Sequence, residues 1–179
     1  MYKVIGTIEG VTPLRFNRYL LNDRQSANRK KMTHEEQVEN ALERSYRDEK
    51  GFYVPSAALR KCFINGGKKV KIGRGYASKL LEAIMIFDED KYYLNTKDYE
   101  IQQDVVRIPP VTGARVLQYW VLIRKWKLSF TVSILDDVFP DGGLKDAIVN
   151  AGLYNGLLDG RPQLGRFELI EFKRIKGGK

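Results

Sequence analysis

The clearest pattern in the sequence lies at residues 125–134, which read Lys-Trp-Lys-Leu-Ser-Phe-Thr-Val-Ser-Ile. Every second residue is apolar, and the residues between them are basic or hydroxylic. Because successive side chains of a strand point to opposite faces of its sheet, this alternation predicts a strand with one apolar and one polar face. Trp126 and Phe130 share the apolar face, so we expect both in the core.

The segments around this strand predict an alternation of strands and helices. Pro and Gly end most of them, and apolar residues recur within them at strand or helix spacing. The predicted elements are strands over 2–11, 52–54, 105–108, 115–123 and 167–175, helices over 33–46, 57–64, 76–81 and 144–154, and a hairpin with arms 84–87 and 91–94. The central elements follow the order strand, helix, strand, strand, helix, strand. This order predicts an α+β, ferredoxin-like (RRM-like) βαββαβ fold with both helices on one face of an antiparallel sheet.

The length of 179 residues predicts a single domain over 1–179. Two stretches exceed what the core fold needs, and we expect them as insertions: a loop plus helix over 17–50 and an acidic hairpin over 82–104. The helix of the first insertion should begin after Thr33, because Thr33 and Glu36 have the spacing of a capping box. Gly6 and Gly10 interrupt the first strand and indicate a bulge or a close approach of another element.

The composition excludes several classes of protein. With 43% hydrophobic and 30% charged residues the chain is expected to fold around a core. A single cysteine, Cys62, and a single histidine, His34, exclude a disulfide framework and a Cys/His zinc site. No catalytic triad, paired inward carboxylates, phosphate-binding Walker loop or dinucleotide fingerprint is present, so we expect no metal and no cofactor. No signal peptide or membrane span is evident, which predicts a cytoplasmic protein without a membrane partner.

The formal charge of +9 is arranged in blocks of one sign. Between Gly51 and Leu81 every charged residue is basic, and the same holds from Val105 to Leu135, while the segment between these stretches is mainly acidic. Blocks of one sign give the surface an electrostatic field with a direction, which favours a polyanionic partner. Ordinary solubilising charges are the alternative explanation for any single block.

Three further motifs resemble the RAMP superfamily, the CRISPR-associated RNA-binding proteins. They are Val-Ile-Gly-Thr-Ile-Glu-Gly-Val-Thr-Pro-Leu at 4–14, Tyr-Val-Pro-Ser-Ala-Ala-Leu-Arg at 53–60 and Gly-Leu-Leu-Asp-Gly-Arg-Pro-Gln-Leu-Gly-Arg-Phe-Glu at 156–168. Their order matches the family's, and the likeness is greatest to the subunits that form the backbone of effector complexes. The resemblance implies a ferredoxin-like fold that binds RNA, with helix 57–64 and the glycine loop near the RNA backbone.

The candidate nucleic-acid contacts are basic side chains and one helix start. A glycine-flanked loop carries Lys68, Lys69, Lys71 and Arg74, which form the strongest candidate because no acidic residue lies near them in sequence. Ser56 is expected to cap helix 57–64 and to present free N–H groups to a phosphate. The remaining candidates are Arg60 and Lys61 on that helix, and Arg161 and Arg166 in the glycine loop.

The leading hypothesis is a non-catalytic protein that binds single-stranded RNA, such as a guide RNA, through its phosphate backbone. The resemblance implies oligomers along the RNA or contacts with other effector subunits, with 17–50 as the arm toward a neighbour. One alternative is an endoribonuclease on the same fold, with Asp23 or His34 in its active centre. A second is a viral or mobile-element protein that binds single-stranded DNA or imitates a CRISPR subunit, and a third is a purely structural protein.

Overall fold

The computed structural model describes residues 1–20, 32–108 and 113–176. Within these parts, the helices are α1 (His34–Glu43), α2 (Ser56–Gly66), α3 (Ala77–Ile84) and α4 (Asp141–Asn150). The strands are β1 (Tyr2–Gly10), β2 (Leu14–Arg15), β3 (Arg47–Asp48), β4 (Gly51–Pro55), β5 (Lys71–Ile72), β6 (Gly75–Tyr76), β7 (Met85–Phe87), β8 (Lys91–Tyr93), β9 (Glu100–Ile108), β10 (Ala114–Ile123), β11 (Lys127–Ile134) and β12 (Phe167–Lys176). A 3₁₀ turn (Gly67–Lys69) follows α2, and a π turn (Ala151–Asn155) follows α4.

The central sheet has four strands in the order β12-β1-β11-β7, and all neighbours are antiparallel. Along the chain its elements follow the order β1, α2, β7, β11, α4, β12. Both helices are crossovers of this sheet, and the first and third strands lie at its centre. This arrangement is the split βαβ unit of the ferredoxin-like fold. The predicted α+β, ferredoxin-like class is confirmed.

The alternating stretch 125–134 forms β11 at the centre of the sheet. Leu128, Phe130, Val132 and Ile134 are fully buried on one face. The Phe130 ring lies 5.1 Å from the ring of Phe63 on α2, measured between centroids. The alternation therefore identified both the strand and the face on which the helices pack.

The two glycines of β1 allow aromatic rings to approach the backbone. A Cβ atom at Gly6 would lie 2.4 Å from the Phe130 ring, and one at Gly10 would lie 2.1 Å from the Trp126 indole. Contacts this short leave no room for a side chain. The pairing of β1 with β12 also shifts register between Thr7 and Ile8. The expected close approach and the expected irregularity are thus both present.

The predicted hairpin with arms 84–87 and 91–94 is wrong. β7 pairs with β11, with Phe87 opposite Val132, and so belongs to the central sheet. β8 instead pairs with β4, with Tyr93 opposite Tyr53. The Asp88 carboxylate attaches the start of the acidic turn to the central sheet, because it accepts hydrogen bonds from Ser133 Oγ of β11, at 2.7 Å, and from Lys3 Nζ of β1, at 2.8 Å. The insertion limits 17–50 and 82–104 stay predictions.

A second sheet is built on the long β9-β10 hairpin, with β2 on the other side of β10. Helix α1 lies against β10, where His34 Nδ1 is 3.2 Å from the Tyr119 hydroxyl. The capping box predicted at the start of α1 is present, because Thr33 Oγ1 accepts from Glu36 N at 3.2 Å and Glu36 Oε2 accepts from Thr33 N at 2.8 Å. No helix within the described residues is long and apolar enough to cross a membrane.

Asp48 holds together the small sheet of β3, β4 and β8. Its Oδ2 accepts from Lys91 Nζ and from the Tyr93 hydroxyl, each at 2.8 Å, and its Oδ1 accepts from Lys50 N at 3.0 Å. These hydrogen bonds, that of Lys91 first, lower the pKa of Asp48 from 3.8 to about 2. A depressed carboxyl pKa stabilises the folded state above the unfolded-state pKa, and this stability is lost as the pH falls through the folded-state pKa.

We expect Asp48→Asn to lower the free energy of unfolding at neutral pH, and the difference from the parent to shrink between pH 3.8 and about 2. Urea unfolding over a pH series measures this difference. Asp98→Asn is the control, because Asp98 is exposed and makes no ion pair among the described residues. Parallel pH curves for Asp48→Asn and the parent would contradict the expectation.

Candidate nucleic-acid interface

The strongest predicted cations lie on the segment 67–76, a 3₁₀ turn and a short hairpin that follow α2 and that we together call the cationic hairpin. The 3₁₀ turn leads into β5, Gly73 turns the chain at φ +57°, and β6 returns it to α3. The sequence predicted a flexible loop here, whereas backbone pairing of Lys71 with Tyr76 gives it a regular shape. All four basic side chains on it are exposed and lack an ion pair among the described residues: Lys68, Lys69, Lys71 and Arg74.

Lys69 connects this hairpin to the end of α4. Its Nζ atom lies 3.6 Å from the centroid of the Tyr154 ring, a cation–π contact that limits the freedom of the ammonium group. Lys69 and Lys71 line one wall of a groove of about 400 Å³, and Asp146 and Asn150 line the other. The groove thus has two cations on one wall and a single carboxylate opposite them.

The glycine loop 156–166 is held in place by contacts with other elements. Gly165 has φ +72°, and a Cβ atom there would lie 2.1 Å from the Leu157 carbonyl oxygen, so only glycine fits. Cys62 Sγ donates to the Gly156 carbonyl oxygen at 3.2 Å, and burial raises the pKa of this thiol to about 12. Arg15 Nε pairs with Asp159 Oδ2 at 2.8 Å. The loop is therefore held in one position and forms a rigid wall on this side of the protein.

A cleft of about 440 Å³ lies between the end of α2 and this wall. Its polar lining includes Asn65 from α2, Tyr154 and Asn155 from the π turn, and Arg161 from the glycine loop. Because Tyr154 also contacts Lys69, the cleft and the cationic hairpin belong to one surface. We call it the cationic surface and define it as Lys68, Lys69, Lys71, Arg74 and Arg161 together with the cleft.

Three other basic residues were predicted to contact nucleic acid, and each has different surroundings in the structure. Arg60 Nε donates to the Met85 carbonyl oxygen at 3.4 Å, and a terminal nitrogen of Arg60 donates to the Glu82 carbonyl oxygen. Arg60 therefore binds the end of α3. Lys61, the next residue of α2, is exposed. Arg166 is half-buried, and its Nε donates to the Pro162 carbonyl oxygen at 2.7 Å. Contacts of these residues with nucleic acid stay predictions.

Ser56 does not cap α2, contrary to the expectation. The N-cap residue is Pro55, which has no side-chain cap, and Ser56 is the first residue of the helix. The reason is that β4 continues through Pro55, which pairs with Lys91 of β8, so the chain enters the helix one residue earlier. The Ser56 N–H donates to the Asp90 carbonyl oxygen at 2.9 Å and is already occupied. A phosphate contact at Ser56 stays a prediction.

Of the two residues considered for catalysis, the structure describes His34. His34 lies on the exposed first turn of α1 and contacts Tyr119. Asp23 lies outside the described residues. Among the described residues, no group of three His, Cys, Asp or Glu side chains could hold a metal ion.

The second acid-free stretch, 105–135, is neutralised in part by tertiary contacts. Arg124 Nε pairs with Glu100 at 2.8 Å, and Lys127 Nζ lies 3.6 Å from Glu9. Arg107 and Arg115 lie directly opposite each other on the β9-β10 hairpin, and both are exposed. A stretch without acids in sequence can thus be paired with acids in space.

Sequence reasoning missed three residues of the cleft: Asn65, Tyr154 and Asn155. The segment Tyr154-Asn155-Gly156 predicted a helix end, and the structure places a π turn there. Single-turn π segments at helix ends often mark functional positions. No local pattern distinguishes a π turn from an ordinary helix end, so the cleft has no signal in the sequence.

Comparisons with known proteins extend the description of the fold. No family model matches the chain, and no curated protein matches it in sequence. Among solved structures, it is similar to a chain in the cryo-EM structure of the Type III-B Cmr-beta bound to cognate target RNA. The TM-score is 0.58 at 15% identity, and the match covers 98% of this chain and 61% of that one. This likeness is one of fold, and it agrees with the ferredoxin-like topology.

Proposed function

We propose that this protein is a non-catalytic, RAMP-type binder of single-stranded RNA that grips the phosphate backbone. The observation that carries the proposal is the cationic surface. Four exposed cations without ion pairs among the described residues stand on the cationic hairpin, and Lys69 links them to the cleft that contains Arg161. Cations spaced along one surface suit a chain of phosphates. Arg60, Lys61, Arg166 and Ser56 are secondary contacts in this proposal.

Binding of this kind is mainly electrostatic and depends little on the base sequence of the RNA. Lysine ammonium groups act as point charges on phosphate oxygens, whereas the Arg74 and Arg161 guanidinium groups can each donate two hydrogen bonds to one phosphate. Each phosphate that a cation neutralises releases condensed counterions. The affinity should therefore fall steeply with salt.

Two findings favour RNA and a place in a CRISPR effector complex. The three sequence motifs resemble the RAMP superfamily, and the solved structure with a similar fold contains a Type III-B Cmr-beta bound to cognate target RNA. In the proposal, the chain is a single RAMP-like domain that binds a guide RNA. It contacts further copies of itself or other effector subunits through the insertion 17–50.

The test is a salt titration of binding by fluorescence anisotropy, with single-stranded RNA and DNA of the same sequence. Five phosphate contacts predict a slope of log affinity against log salt of about −3.5, at about −0.7 per contact on a single strand. RNA should bind more tightly than DNA. No salt-dependent binding would refute the proposal, and equal binding of DNA would favour the DNA-binding alternative. RNA cleavage that is lost in Asp23→Ala or His34→Ala would favour the endoribonuclease.

A further inference from the structure

We infer that the cleft between α2 and the glycine loop binds the base of one nucleotide of the RNA. This inference rests on the proposed function and goes beyond it, because it adds base recognition to backbone contacts. The volume of about 440 Å³ lies within the range of small-ligand sites, about 300 to 1,000 Å³. The cleft is therefore large enough for a base and its sugar.

One residue of the cleft lining carries an unsatisfied hydrogen-bond donor. Asn155 lines it, and the Asn155 Nδ2 atom is sealed from solvent without an acceptor in the described chain. A buried amide donor without a partner is costly, and an acceptor on a bound base would remove that cost. Asn65 adds a second side-chain amide to the same lining. An amide offers a donor and an acceptor side by side, the pattern that pairs with the edge of a base.

The backbone around the cleft is held in uncommon conformations. Asn155 ends the π turn, and Leu158, which also lines the cleft, has φ +56°. A branched side chain rarely adopts a positive φ, and such strained positions cluster at ligand sites.

The charges around the cleft favour a ligand with a phosphate. Arg161 is exposed at the rim, and Lys69 is held on the ring of Tyr154, which is 48% exposed. Asp159, the acidic side chain among the described lining residues, is already paired with Arg15 at 2.8 Å. Cations, side-chain amides and an aromatic ring at one cleft match the phosphate, the edge and the face of a nucleotide.

The test compares the four homopolymeric RNAs as ligands of the parent and of Asn155→Leu, which keeps the branching of the side chain and removes the amide. We expect the parent to prefer one base by about fivefold or more, and Asn155→Leu to lose this preference while keeping its salt slope. Asn40→Leu on α1 is the matched control, because Asn40 does not line the cleft. Thermal unfolding of each variant establishes that it is folded.

Tyr154→Ala is the second variant, because it truncates a half-exposed side chain and should leave the fold intact even if Asn155→Leu does not fold. It should lower the affinity for the preferred homopolymer more than for the others. Equal affinity of the parent for all four homopolymers, or a preference that survives in both variants, would overturn the inference and leave the proposed function standing. Absence of binding to every homopolymer would overturn both.

Discussion

Replacing Lys68, Lys69, Lys71 and Arg74 together with alanine should remove most of the affinity for single-stranded RNA at low salt. The four side chains are exposed and make no ion pairs among the described residues, and their loss removes the cation–π contact of Lys69 with Tyr154. If each of the four side chains neutralises one phosphate, the slope of log affinity against log salt should become shallower by about 3, at about 0.7 per contact. Anisotropy titrations between about 50 and 200 mM salt measure the affinity and the slope.

The matched control removes four positive charges elsewhere. Lys50, Lys97, Lys125 and Lys173 are exposed and line neither the groove nor the cleft. Their joint replacement with alanine changes the net charge equally, so it separates position from total charge. We expect this control to keep most of the salt slope. Equal losses of affinity in the two quadruple variants would mean that the net charge drives binding. Unchanged binding in the variant of Lys68, Lys69, Lys71 and Arg74 would refute the role of the cationic surface.

The sequence predicted the parts of the fold that local patterns determine. The alternation at 125–134 corresponds to β11, because a sheet covered by helices on one face requires period-two burial along a central strand. Thr33 and Glu36 predicted a helix start correctly, because a capping box closes within four residues of the chain. Gly6 and Gly10 marked close approaches, although nothing local identified Phe130 and Trp126 as the partners.

Other features of the fold depend on pairings between segments that are distant in the sequence. The segment 91–94 has the residues of a hairpin arm, and β4 offered an alternative edge that the sequence could not reveal. Ser56 was expected to be a cap because serine is a preferred N-cap residue, yet the pairing of Pro55 with Lys91 determined where the helix begins. In these cases tertiary contacts overrode local preference.

For the same reason, the sequence predicted the cations of the candidate site but not its cleft. Its cations are visible in the sequence as an acid-free block, so Lys68 to Arg74 were found. The cleft is formed by α2, the π turn and the glycine loop, and it depends on helix packing. At that contact, a Cβ atom on Gly66 of α2 would lie 2.0 Å from the Ala147 carbonyl oxygen of α4. Such an approach of two helices has no signature in either segment alone.

Phe130→Ala should lower the free energy of unfolding by about 4 kcal/mol. The Phe130 side chain is 1% exposed and lies at the centre of the aromatic cluster between sheet and helices, with its centroid 5.1 Å from that of Phe63 and 6.3 Å from that of Phe87. Truncation removes this contact area and leaves a cavity that the two rings cannot fill without moving. At about 2 to 4 °C per kcal/mol for a chain of this size, the melting temperature should fall by about 10 °C. Urea unfolding and thermal denaturation measure the two quantities.

A double-mutant cycle with Gly6 tests whether the cost arises from this contact. Gly6→Ala alone should destabilise by about 1 to 3 kcal/mol, because its Cβ would lie 2.4 Å from the Phe130 ring. In the Phe130→Ala background that ring is gone, and the new methyl group enters the cavity. The cost of Gly6→Ala should then vanish or change sign, giving a coupling energy of about 1 kcal/mol or more. Leu144→Ala on α4 is the control, because Gly6→Ala should keep its full cost in that background. Additive costs in the Phe130 cycle would mean that Gly6 is required for strand geometry rather than for the approach of the ring.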